Sequence, residues 1–215
     1  MKGTYRKSRA FVSALAALAW FGVLLQLFVT LHSTIENGTG VVGGLVSFLG
    51  YFTILTNLLV CISLTMPLLA PSSAPGRFFA RSEVTAGVAT SIAFVGLAYY
   101  FLLRKTWNPQ GLQLLADILL HYVMPTLFLL YWWFNFPKGA LRWFYPAIWG
   151  LYPTVYLIYV LIRGSIIGNY PYGFIDPRAI GYQRTMINAV GLLFAFIVLG
   201  LILVVLGRVQ RRVST

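Results

Sequence analysis

Two small groups of polar side chains interrupt the long apolar blocks of this sequence, and their spacing places each group on one helical face. Thr53, Thr56 and Asn57 follow the spacing i, i+3, i+4, and Asp117 and His121 lie four residues apart. An imidazole can take the proton of a hydroxyl that attacks a carbonyl carbon. A neighbouring acid or amide can then orient the imidazole or stabilise the oxyanion. These residue types are therefore compatible with ester cleavage by a threonine nucleophile and a histidine base.

Each of these residues also has a purely structural interpretation. A threonine in a membrane helix commonly bonds the backbone carbonyl four residues earlier, and a buried asparagine commonly links two helices. Asp117 could simply face a water-filled vestibule. His121 is the strongest signal, because an ionisable ring in hydrocarbon is costly and needs a partner. Proton coupling by His121 and Asp117 in a transporter therefore stays an alternative to catalysis.

The elements that must position these side chains are predicted to be membrane-spanning helices. Of the 215 residues, 59% are hydrophobic and 9% are charged, whereas a soluble domain carries about 25% charged residues. The apolar blocks are about 20 residues long, which is enough to cross the hydrocarbon of a bilayer. We predict an all-α integral membrane protein with one transmembrane domain over residues 1–215. Its six helices are expected near residues 9–32, 44–70, 82–104, 112–135, 141–163 and 183–207.

The distribution of positive charge predicts how this bundle is oriented. The formal net charge is +12, and most Lys and Arg residues lie at the two termini and in the second and fourth connections. Because cytoplasmic connections carry the excess of Lys and Arg, we expect both termini to be cytoplasmic. The same placement argues against nucleic acid as a partner. The longest connection, 164–182, is rich in Gly, Pro and aromatic residues and is expected to form an ordered lid or re-entrant turn.

The predicted helices bring the hydroxyl and the imidazole to matching depth. The second and fourth helices run in the same direction, and they are predicted to begin near residues 44 and 112. Thr53 and His121 then each lie about nine residues into their helix, roughly 13 Å below its outer end at 1.5 Å per residue. The two groups are therefore expected at one level in the outer half of the membrane.

Other chemistries are excluded by the inventory of side chains. Four carboxylates in the whole chain cannot build an acidic two-metal site. Haem ligation by two histidines needs a second buried His beside His121, and the sequence offers none within an apolar block. No Lys lies in mid-helix to form a Schiff base, and the GxSxG and HExxH motifs are absent. We expect no metal and no cofactor.

Three short segments resemble the androgen-induced/androgen-dependent membrane protein family and its bacterial relatives. They are Tyr51–Asn57 (YFTILTN), Asp117–Pro125 (DILLHYVMP) and Tyr170–Phe174 (YPYGF). The resemblance covers most of the chain, with the motifs in the same order. It implies six spans and a threonine hydrolase that acts on fatty acid esters of hydroxy fatty acids. The family histidine corresponds to His121, and the family threonine corresponds best to Thr53.

The expected function is therefore an intramembrane threonine hydrolase of lipid esters. Thr53 and His121 are the expected catalytic residues, Thr56 competes with Thr53 as nucleophile, and Asn57, Thr56 and Asp117 are possible supporting groups. We expect the partner to be a lipid or acyl chain that enters from the bilayer, and the location to be a bacterial cytoplasmic membrane. A non-enzymatic lipid-binding protein, a proton-coupled transporter and a scaffold remain alternatives. The sequence leaves the oligomeric state and the substrate head group open.

Overall fold

The computed structural model describes residues 9–136 and 141–213, and within these ranges every regular element is helical. Six helices are long and apolar enough to cross a membrane, which is compatible with a multi-pass membrane protein. We label them in chain order α1 (Arg9–Glu36), α2 (Phe52–Leu69), α3 (Ser82–Leu103), α4 (Gly111–Asn135), α5 (Tyr145–Ile167) and α6 (Tyr182–Val213). Of the predicted termini, residues 1–8 and 214–215 lie outside the described residues.

The helix predicted over residues 44–70 is divided, and this prediction is wrong in that respect. A short helix, Gly40–Phe48, ends before Gly50, and α2 begins at Phe52 after an extended Tyr51 (φ −92°, ψ 131°). A Cβ on Gly50 would lie 2.8 Å from Cζ of Arg163, so a larger residue would displace the Arg163 side chain from the break. Thr53 therefore lies in the first turn of α2 rather than nine residues inside a continuous helix.

Side chains of α5 satisfy the backbone at this break. Arg163 donates to the carbonyl of Val46 (2.9 Å), the hydroxyl of Tyr159 donates to that of Leu49 (3.3 Å), and Tyr156 donates to that of Gly50 (3.0 Å). A helix break at membrane depth is tolerated where neighbouring groups bond the freed carbonyls. The break is therefore a built feature, and it fixes where α2 starts.

Two of the long helices contain a π-helical turn. Residues Tyr99–Leu103 form one at the end of α3, and residues Leu119–Val123 form the other in the middle of α4. Pro125 accounts for the second, because it has no N–H to donate to the carbonyl of His121 four residues earlier. Met124 instead donates to the carbonyl of Leu119, which is the i→i−5 pattern of a π-helix.

The centre of the bundle is formed by α2, α3 and α4. Fully enclosed side chains from all three meet there, among them Val60, Cys61, Ile92, Met124 and Phe128. The helices α3 and α4 approach closely at Gly96, where an added Cβ would lie 3.2 Å from the carbonyl oxygen of His121. This close contact fixes the π-helical turn of α4 against α3.

The connection after α5 is ordered, as its composition predicts, and we call residues 168–181 the lid. It contains a 3-10 turn, Gly173–Ile175, and a short helix, Pro177–Ile180. Asn188 of α6 donates from Nδ2 to the carbonyl of Phe174 at 2.8 Å. The lid is thus tied to α6 beside the N-terminal turn of α2.

Candidate functional site

The side chains of Thr53 and His121 meet between α2 and α4. Oγ1 of Thr53 lies 3.3 Å from Nε2 of His121, within hydrogen-bond distance. Thr53 is 8% exposed, and the imidazole side chain is 14% exposed. A hydroxyl and an imidazole are therefore paired in a site that the protein largely encloses.

The other ring nitrogen of His121 faces two oxygen atoms of Asp117. Nδ1 lies 3.1 Å from the backbone carbonyl oxygen and 3.1 Å from carboxylate Oδ1. Only the backbone oxygen has good hydrogen-bond alignment, so the carboxylate contributes mainly as a close charge. Both oxygens are acceptors, which assigns the proton to Nδ1 and leaves Nε2 of the neutral ring free to accept from Thr53. This is the tautomer that a general base at Nε2 requires.

Tyr99 completes this polar chain. Its hydroxyl donates to Oδ2 of Asp117 at 2.6 Å, and the residue is only 5% exposed. Its ring also lies on the imidazole of His121, with centroids 4.0 Å apart. The neighbouring Tyr100 is instead 44% exposed. Sequence gives no signal that separates the two tyrosines, because the π-helical turn decides which one points inward.

Thr56 and Asn57 lie beside the pair, and their side chains form hydrogen bonds with other groups. Oγ1 of Thr56 bonds the hydroxyl of Tyr152 at 3.0 Å. Nδ2 of Asn57 donates to the carbonyl of Thr53 (2.9 Å) and to that of Leu120 (3.4 Å), so Asn57 links α2 to α4. Of the two candidate threonines, Thr53 is thus the one within hydrogen-bond distance of His121. Oδ1 of Asn57 is buried and has no hydrogen-bond partner among the described residues.

Tyr172 of the lid is a contact that sequence reasoning missed. Its hydroxyl oxygen lies 3.5 Å from Oγ1 of Thr53 and 3.5 Å from the backbone nitrogen of Thr53. The residue as a whole is partly exposed, but its hydroxyl end is enclosed, and this burial raises the pKa of Tyr172. The YPYGF segment, with its Pro and Gly residues, lies in the connection predicted to form an ordered lid, so the sequence did indicate the element that carries Tyr172.

An apolar cavity of about 170 Å³ adjoins this polar group. Thr53, Tyr99 and Tyr172 lie in its wall, and the rest is almost entirely hydrocarbon from α3, α5, α6 and the lid. Met186 and Val190 of α6 line it while being 40% and 68% exposed on the outer surface. The cavity therefore lies between the Thr53 hydroxyl and an exposed face of α6. His121 contacts Thr53 without lining the cavity.

A further polar pair in the spans has a structural role. Gln26 of α1 and Gln113 of α4 exchange two amide hydrogen bonds, of 3.2 and 2.9 Å. Such reciprocal bonds link helices in a membrane. Among the described residues no three His, Cys, Asp or Glu side chains come together as a set of metal ligands would.

No family model, curated protein or solved structure matches the chain.

Proposed function

We propose that this protein is a membrane-embedded threonine hydrolase that cleaves lipid esters, of the kind in which a fatty acid is esterified to a hydroxy fatty acid. One observation carries the proposal: Thr53, His121 and Asp117 stand in contact, in the order nucleophile, base and acid. Hydrogen-bonded nucleophiles and bases oriented by a third group recur in acyl-transfer enzymes on unrelated folds. The resemblance of the three motifs to a family of such hydrolases points the same way.

The first half of the reaction forms an acyl-enzyme. Oγ1 of Thr53 attacks the ester carbonyl carbon, and its proton passes to Nε2 of His121. The tetrahedral intermediate collapses, the bond to the leaving alcohol breaks, and the imidazolium returns the proton to that oxygen. Asp117 holds Nδ1–H and stabilises the positive ring while it exists. The products of this half are the free alcohol and an ester of Thr53.

The second half restores the enzyme. Water attacks the threonyl ester, and His121 takes one proton from it. The free carboxylic acid leaves as Oγ1 of Thr53 regains the proton. Thr53 and His121, which pass the proton, are already in contact, so no reorganisation of the polar chain is required.

The substrate class follows from the walls of the cavity. A pocket with almost no polar lining holds an acyl chain and offers nothing to a sugar or a nucleotide. Met186 and Val190 lie at the outer wall, so a chain can enter from the bilayer without crossing water. The ester group would then stop at Thr53, where the hydrocarbon wall ends.

The proposed location is a bacterial cytoplasmic membrane, with both termini on the cytoplasmic side. The excess of Lys and Arg on that side supports this orientation. In it, the lid lies on the opposite, external side. Accessibility of single cysteines placed at residue 38 and residue 75, in a background carrying Cys61→Ser, tests it: only the first should react with a membrane-impermeant thiol reagent in intact cells.

The hydrolase proposal is tested with the purified full-length protein in detergent and a long-chain alkyl fluorophosphonate. We expect labelling of the wild type at Thr53, none in Thr53→Ala, and slowing by at least about 10²-fold in His121→Ala. Thr56→Val is the matched control and should label at nearly the wild-type rate. Absence of labelling in a well-folded wild type would overturn the proposal.

The buried Tyr99–Asp117–His121 chain supports a second candidate, a proton-coupled transporter or non-enzymatic lipid-binding protein. A substitution at Thr53 distinguishes this candidate from the hydrolase. A transporter depends on His121 and Asp117 and tolerates Thr53→Ala, whereas a hydrolase loses its reaction in that variant. Uptake of a lipid analogue into vesicles by Thr53→Ala protein would favour the transporter.

A further inference from the structure

The first turn of α2 presents backbone N–H groups beside the Thr53 hydroxyl. The initial N–H groups of a helix have no partner within it. The carbonyl of Tyr51 accepts from Ile54 and Leu55 (3.1 Å each), while the N–H of Thr53 faces the hydroxyl oxygen of Tyr172 at 3.5 Å. The helix break at Gly50 is what exposes this N–H at the level of the hydroxyl. A continuous helix through residue 53 would have bonded it to the carbonyl of Leu49.

The hydroxyl of Tyr172 occupies the same small region. Its oxygen accepts from the backbone N–H of Thr53 at 3.5 Å and lies 3.5 Å from Oγ1 of Thr53, so the two donors and the nucleophile lie together in residues that line the cavity. Contacts of 3.5 Å are at the long limit of hydrogen bonding. The bond between the two donors is therefore weak, and it can open when a carbonyl oxygen accepts from both of them.

From this arrangement we propose that the hydroxyl of Tyr172 and the backbone N–H of Thr53 form the oxyanion hole of the hydrolase. This inference rests on the proposed function. The carbonyl oxygen of the ester lies between the two donors, and both bonds strengthen as negative charge develops on that oxygen. Tyr172 donates a hydrogen bond throughout and transfers no proton, since His121 carries the proton from Thr53 to the leaving alcohol.

The surroundings of Tyr172 suit this role. Its ring contacts Tyr51 edge-on (centroids 5.7 Å apart, planes at 84°) and lies parallel to Phe174 (5.2 Å, 8°). Asn188 fixes the lid through the carbonyl of Phe174. Burial keeps the phenol protonated at neutral pH, because it raises the pKa above its usual value near 10. A rigid, protonated phenol is a preorganised donor.

The test compares the rates at which a long-chain alkyl fluorophosphonate labels wild type, Tyr172→Phe and Tyr51→Phe. Loss of one oxyanion donor typically costs about 10²–10³ in rate. We expect that loss in Tyr172→Phe, with unchanged affinity for an unreactive ether lipid. Tyr51→Phe keeps its ring contact and should label within about 2-fold of wild type.

A second measurement covers the case in which Tyr172→Phe folds poorly. Replacing Tyr172 by 3,5-difluorotyrosine keeps the ring and makes the phenol more acidic. The labelling rate should then fall at an alkaline pH where wild type is still active, because the phenolate cannot donate. An unshifted pH profile, or Tyr172→Phe labelling at the wild-type rate, overturns the role of Tyr172. In both cases labelling that still requires Thr53 leaves the hydrolase proposal standing, whereas no labelling of wild type removes both.

Discussion

The ring of Tyr99 lies on the imidazole of His121, with centroids 4.0 Å apart and planes inclined by 17°. The same tyrosine donates its hydroxyl to Asp117 at 2.6 Å. One side chain thus covers the imidazole and holds the carboxylate that faces it. Both contacts depend on the π-helical turns in which Tyr99 and His121 lie, and such turns are frequent at functional sites.

Tyr99→Phe separates these two contributions, because it keeps the stacked ring and removes the hydroxyl. Oδ2 of Asp117 would lose its donor, and an unsatisfied buried acceptor costs about 1–3 kcal/mol. We expect a lower thermal midpoint and a fall of roughly 10-fold in ester turnover, since a loss of about 1.4 kcal/mol of transition-state stabilisation lowers a rate tenfold. Turnover of a chromogenic long-chain ester measures the second effect.

Tyr100→Phe is the control for this substitution. Tyr100 lies on the exposed side of the same turn, with the guanidinium of Arg104 4.0 Å from its ring centroid. Phenylalanine preserves that contact, so stability and turnover should both stay close to wild type. Equal losses in the two variants would mean that the Asp117 contact has no special role.

Asp117→Asn tests how the imidazole is oriented. An amide can donate to Nδ1, which would move the ring proton to Nε2 and prevent that atom from accepting from Thr53. A comparable change in serine proteases costs about 10⁴ in kcat. Here the backbone carbonyl of Asp117 also accepts from Nδ1 at 3.1 Å. We therefore expect a smaller loss of about 10²-fold in kcat, with little change in KM.

Glu36→Gln is the matched control, because Glu36 forms an i, i+4 pair with His32 at the surface. Its removal should leave kcat unchanged. An Asp117→Asn variant with wild-type kcat would show that the backbone carbonyl alone sets the tautomer and that the carboxylate is dispensable.

The sequence predicts much of this site because its polar residues are rare. In a chain with four carboxylates and two histidines, Asp117 and His121 stand out within an apolar block, and their spacing of four places them on one face. Thr53 is predicted as a site residue because it is expected at the same depth in the membrane as His121. The two residues do meet, but the reason differs from the prediction, since Thr53 lies in the first turn of α2 rather than deep in a longer helix.

The remaining parts depend on tertiary contacts that no local pattern encodes. The break at Gly50 is stabilised by Tyr156, Tyr159 and Arg163 of α5, more than a hundred residues away in sequence. Nothing in the apolar run from residue 44 onward marks it except the glycine. Tyr172 likewise reaches Thr53 only because the lid is anchored to α6. Sequence periodicity therefore could not predict these hydrogen bonds, because they join residues that are far apart in the chain.

The close contact of α3 with α4 gives the last prediction. A Cβ on Gly96 would lie 3.2 Å from the carbonyl oxygen of His121 and 3.2 Å from Cβ of Pro125. Both atoms belong to a rigid backbone or ring, so the helices must separate to accept the methyl group. Overpacking of this kind costs about 1–3 kcal/mol. Because the displaced backbone carries His121, Gly96→Ala should lower turnover as well as the thermal midpoint.

Gly191→Ala supplies the control within α6, since an added Cβ there meets nothing within 4 Å. Alanine is favoured over glycine by up to about 1 kcal/mol in a helix interior, so this variant should be as stable as wild type or more stable, with unchanged turnover. If Gly96→Ala instead matched wild type in both measurements, the contact of α3 with the π-helical turn would not set the position of His121. If it lost stability but kept turnover, the contact would serve the fold alone. A loss of both, with Gly191→Ala unaffected, ties the distance between His121 and Thr53 to the packing of these two helices.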